Sequence, residues 1–136
     1  MGSTVRKTNS GAGRVLVAVY GIFALAATAR ASVQLLTKFE QAPLAYLLSA
    51  LAGVIYIVAT ITLARGTRAS RRLALIAIII ELIGVVSVGT LSILYPEAFP
   101  RATVWSSYGI GYGFVPLVLP IVGLAWLWRT RPVNPQ

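Results

Sequence analysis

The sequence contains no cysteine, no histidine and no aspartate, and only three glutamates among 136 residues. Without thiols there is no disulfide and no thiolate nucleophile, and cysteine usage carries no record of the redox compartment. Without histidine and cysteine, the ligand sets of zinc and haem sites and the Ser-His-Asp triad are missing. No cofactor and no metal are therefore expected. With three glutamates and a few hydroxyls there is almost no acid–base or nucleophilic repertoire, so an enzyme is not expected either. Charge is scarce as well: charged residues make up 11% and hydrophobic ones 57%. A soluble domain carries about 25% charge. Most of this chain's surface does not face water.

What is present is long apolar runs. A bilayer core of about 30 Å takes about 20 apolar residues of helix. Four stretches approach that length: residues 15–36, 45–64, 73–94 and 108–128. None shows the polar–apolar alternation of a barrel strand, and helix is the other way to satisfy the backbone in lipid. The expected fold is all-α, an up-down bundle of four transmembrane helices forming one domain over residues 15–128. Residues 1–14 and 129–136 flank it as tails, the first polar enough to be disordered.

Twelve basic residues against three acidic give a net charge of +9. They cluster in short segments between apolar runs, a pattern that sets topology in a membrane rather than nucleic-acid binding. Arg6, Lys7 and Arg14 lie in the first tail, Arg65, Arg68, Arg71 and Arg72 between the second and third runs, and Arg129 and Arg131 after the fourth. Those segments hold nine cations and no acid, whereas the two opposite loops pair Lys38 with Glu40 and Arg101 with Glu97. The positive-inside rule then puts both termini in the cytoplasm of a plasma-membrane protein. Tyr95, Phe99, Trp105, Tyr108 and Tyr112 at one end, with Trp126 and Trp128 at the other, fit aromatic belts. Ala27-Thr28-Ala29 after a basic start resembles a signal-peptide cleavage site, but the apolar stretch continues past it through Leu36, which favours a retained span.

Two ionisable residues fall inside the runs. Glu81 sits eight residues into the third, at a cost of about 2.5–3.5 kcal/mol on insertion scales. It is read either as a proton or cation site in a permeation path or as an interhelical hydrogen-bonding group. Arg30 lies near the outer end of the first run, where it either snorkels to the headgroups or pairs with Glu81.

Small residues mark helix contacts. Ala45, Ser49 and Gly53 recur every fourth position, Gly109 and Gly113 form a GxxxG pair at the start of the fourth run, and Gly84 with Val88 is a weaker case. Pro116 and Pro120 put a fixed bend in the fourth run. Gly111-Tyr112-Gly113 is similar to the end of a potassium-channel filter. Gly109-Ile110 stands where Thr-Val belongs, and an apolar helix follows at once. A glycine-rich helix start is the reading adopted.

The arrangement as a whole resembles small four-span integral membrane proteins of high-G+C Gram-positive bacteria. The resemblance implies an inner-membrane address and brings no catalytic motif. The expected role is that of a non-enzymatic accessory or partner subunit of a larger membrane assembly, its partners being lipids and another membrane protein or a second copy. The alternative is a small homo-oligomeric transporter or channel using Glu81.

Overall fold

The computed structural model describes residues 11–131. Expectations for Arg6, Lys7, most of the first tail and the residues beyond 131 lie outside it. Among the described residues every regular element is helical. Four α-helices run in order: α1 (Ala12–Thr37), α2 (Pro43–Arg65), α3 (Arg68–Leu94) and α4 (Val115–Arg129). Short 3-10 turns at Phe39–Gln41 and Pro96–Ala98, and a longer one at Ser106–Tyr112, link them.

Local chemistry explains the ends. α2 opens with Pro43 in its first turn, where the missing N–H is no loss. It stops at Gly66, whose left-handed φ of 68° lets its N–H reach back to the Thr62 carbonyl. One residue later Thr67 starts α3: its hydroxyl accepts from the Ser70 N–H while the Ser70 hydroxyl accepts from the Thr67 N–H, a reciprocal capping box. So short a connection folds α3 back along α2. At 1.5 Å per residue, α1, α2 and α3 are about 39, 34 and 40 Å long, enough to cross a bilayer.

The fourth run departs from the expected single helical span at 108–128, bent at its prolines. α4 has 15 residues, about 22 Å. The Ser106–Tyr112 turn before it is set at 98° to it, so the pair makes a fourth crossing only as one bent span. The bend lies at Ser107–Phe114 rather than at Pro120. Ser107, Tyr108, Gly109, Gly113 and Phe114 all have positive φ, which no continuous right-handed helix admits. Pro116 sits in the first turn of α4, where a proline is tolerated, and both Pro116 and Pro120 are fully buried.

Packing is of small against large. On α1, Leu16, Tyr20, Ala24, Ala27 and Ala31 are buried at helical spacing, and on α2 Ser49, Ala52, Gly53, Tyr56 and Ala59 are buried likewise. α1 and α2 form the most extensive contact in the molecule, while α1 barely touches α4. Outward, the same helices show large apolar side chains, with Leu25 76% and Leu36 86% exposed. A surface of that kind belongs in lipid. Three or four of the helices could cross a membrane, and a multi-pass membrane protein is the class they fit.

Candidate functional site

One connected chain of polar and aromatic side chains runs through the largely apolar interior. Glu81, halfway along α3, is fully buried, and its Oε1 accepts a 2.7 Å hydrogen bond from the Tyr20 hydroxyl of α1. Its Oε2 is buried without a hydrogen-bond partner among the described residues. The Tyr20 ring lies 6.3 Å from that of Tyr56 on α2, and the Tyr56 hydroxyl accepts from the Trp105 indole N–H at 3.0 Å. Phe23 meets Tyr56 edge-on at 5.9 Å and Tyr112 at 5.8 Å. Tyr112 ends the chain: its hydroxyl accepts from Arg30 Nη1 at 2.6 Å, and the guanidinium stands 6.0 Å from its ring.

Glycines make room for this chain. A Cβ on Gly84 would stand 2.6 Å from the Trp105 ring, so the indole packs directly against the α3 backbone. One on Gly123 would meet Ile78 at 3.0 Å and the Tyr20 hydroxyl at 3.1 Å, which is how α4 closes over the Tyr20–Glu81 pair. Gly89 serves Tyr108 in the same way, and the Tyr108 hydroxyl bonds Thr90 at 2.9 Å.

Of the two ionisable residues inside the runs, the structure does not bring Arg30 to Glu81. Arg30 is exposed and bonded to Tyr112, while Glu81 is buried and bonded to Tyr20, so no ion pair joins them. Ser49 is buried, and a Cβ on Gly53 would lie 3.1 Å from the Thr28 hydroxyl and 3.5 Å from its backbone, in the α1–α2 contact. Gly109 and Gly113 are not a helix-contact pair. Gly109 is packed against Pro116 of its own segment and Gly113 meets nothing within 4 Å, because both lie in the left-handed turn before α4 begins. Arg71 turns inward at the α3–α4 end, donating to the Thr130 hydroxyl at 2.9 Å and the Leu127 carbonyl at 2.6 Å. Arg65, Arg68 and Arg72 are exposed.

Sequence reasoning missed Tyr20 and Tyr56, and it gave Trp105 to an interfacial belt whereas the ring is buried against Tyr56. The signal was present in part: Tyr20 and Tyr56 stand well inside apolar runs, whereas membrane tyrosines prefer the interfaces. A phenol at that depth needs a polar partner. Chemically the arrangement is a carboxyl–phenol pair sealed from every surface, and among the described residues no cluster of carboxylates can hold a metal.

Comparison with protein families, with curated proteins and with solved structures returns no match.

Proposed function

We propose that this chain is a non-enzymatic plasma-membrane protein that crosses the bilayer four times as an up-down bundle, with both termini in the cytoplasm. Its role is that of an accessory or partner subunit in a larger membrane assembly. The enclosure of Glu81 against Tyr20 carries this reading: the intramembrane acid is spent inside one copy of the chain, at 0% exposure. It does not lie on a face where a second copy could share it. What α1, α2 and α3 offer outward is apolar side chain, which suits lipid and the helices of other membrane proteins. The orientation rests on the distribution of basic residues.

A second reading, a homo-oligomeric transporter or channel, is favoured by one observation, the buried and unpartnered Oε2 of Glu81. Purification in a gentle detergent, with the mass of the particle measured and its components identified, separates the two. A single copy beside an unrelated membrane protein is expected. A symmetric homo-oligomer whose pH-dependent flux in liposomes disappears in Glu81→Gln would overturn the accessory role.

A further inference from the structure

The α3–α4 end of the molecule carries a cleft of about 600 Å³ between the first turns of α3 and the last turns of α4. Its rim holds four arginines and no carboxylate: Arg68, Arg71 and Arg72 from α3, and Arg131 beyond α4. Its floor is apolar, made by Leu75, Leu124, Leu127 and Trp128.

The four arginines are not equivalent. Arg71 is the back wall, tied to Thr130 and to the Leu127 carbonyl, so that it fixes the distance between the two helices. Arg131 is held in place over the Trp128 ring, 3.9 Å from guanidinium carbon to ring centre, and donates to the Trp128 carbonyl at 2.6 Å. Arg68 and Arg72, four residues apart and therefore side by side on α3, are exposed and make no hydrogen bond or ion pair among the described residues. Two free guanidiniums and one pre-oriented guanidinium, over an apolar floor at the end of membrane-length helices, match a ligand with an anionic head and hydrocarbon chains. A free phosphate would leave the floor unused. The floor also continues onto a flank of α3 where Leu73 and Ile76 are about half exposed, the direction acyl chains would take.

We propose that this cleft binds one anionic phospholipid, its phosphate held by Arg68, Arg72 and Arg131 and its chains lying over Leu75, Leu124 and Trp128. Basic pockets between helices at the cytoplasmic level recognise such headgroups, and each guanidinium near the surface strengthens anionic-lipid binding about fivefold. The inference rests on the membrane-spanning reading and not on any partner protein, so it stands or falls apart from the accessory role.

The test uses the full chain in a neutral detergent, with bound lipid counted by native mass spectrometry. Phosphatidylglycerol, phosphatidylcholine and inorganic phosphate are titrated separately. One phosphatidylglycerol is expected to bind at a concentration at least tenfold below phosphatidylcholine, with no retention of inorganic phosphate. The double variant Arg68→Gln/Arg72→Gln should weaken phosphatidylglycerol about 25-fold and leave phosphatidylcholine unchanged. Leu75→Trp, which keeps every charge and fills the floor, should weaken the lipid as well, and it decides the matter if the double variant does not fold. Equal binding of the two lipids, or wild-type phosphatidylglycerol binding in the folded variants, overturns the proposal. So does inorganic phosphate bound as tightly as the lipid, which would make this a soluble-anion site.

Discussion

α1, α2 and α3 on one side, and the segment from Tyr95 to Arg129 on the other, are held by different means. The three long helices keep right-handed geometry from end to end and need only length and an apolar surface to stay in a bilayer. The Tyr95–Arg129 segment has a helix too short to cross alone, entered through a turn with five residues at positive φ, three of them not glycine. Each such non-glycine residue costs about 1–2 kcal/mol. Within lipid no hydrophobic drive compensates, because hydrocarbon is as apolar as leucine; close packing and hydrogen bonds must do so. That is what Trp105 and Tyr108 supply. Each lies in a notch opened by a glycine of α3, Gly84 for one and Gly89 for the other, and each ends on a hydroxyl, Tyr56 or Thr90. The lesson is that a span can be specified from its neighbour's backbone as firmly as from its own sequence.

The sharpest way to break the contrast is to close a notch. Gly84→Leu drives a side chain into the Trp105 ring, which is 2% exposed and bonded to Tyr56, so the indole cannot swing aside. We expect a loss of about 3 kcal/mol, the upper end for overpacking, measured as thermal or denaturant unfolding in detergent. The same replacement of an outward residue on α3, such as Ile83→Leu, should change stability by less than about 0.5 kcal/mol. If Gly84→Leu is as stable as wild type, the docked indole does not hold the segment.

How much of this is legible in the sequence follows from the same contrast. The three long helices are read directly from apolar length, but their ends, set by Pro43, Gly66 and the Thr67–Ser70 pair, lie a few residues outside the apolar runs. The bent fourth run is not, because composition alone cannot tell a glycine that lets two helices touch from one that takes a left-handed turn. Gly109 and Gly113 have GxxxG spacing and turn out to be the second kind, whereas Gly84, the weaker candidate, receives a tryptophan. Glu81 is conspicuous as the one acid inside an apolar run, but its partner is 61 residues away on another helix, and no local pattern announces such a pair. Arg30 shows the limit from the other direction: Glu81 is the one opposite charge inside an apolar run, yet the Arg30 bond goes to an aromatic hydroxyl 82 residues on.

A smaller loss is expected in the interior of the three long helices, at the Tyr20–Glu81 pair. Glu81→Leu removes the acceptor of the Tyr20 hydroxyl and leaves a buried phenol unpaired, at about 1–3 kcal/mol. Glu81→Gln keeps an oxygen for Tyr20 and should cost less than about 1 kcal/mol. Tyr20→Phe in the Glu81→Leu background should recover part of the loss, since no hydroxyl is then orphaned. Unfolding curves for the three variants read this out. Glu81→Gln as damaging as Glu81→Leu would mean that the acid itself, not its hydrogen bond, is required.

The smallest effects come from two glycines that differ in one respect. Neither Gly111 nor Gly113 has an atom within 4 Å of where a Cβ would stand, so packing cannot distinguish them. Gly113 has φ 64°, the left-handed region, while Gly111 has no positive φ. Gly113→Ala should therefore lose about 1 kcal/mol from backbone strain alone. Gly111→Ala should gain about 0.5 kcal/mol, because alanine restricts the unfolded chain where the native backbone already suits it. Opposite signs from the same substitution two residues apart, in one unfolding assay, would establish that the turn into α4 is set by backbone handedness. Equal signs would mean that the segment straightens into the continuous helix its apolar composition suggests, and the 98° bend would go with it.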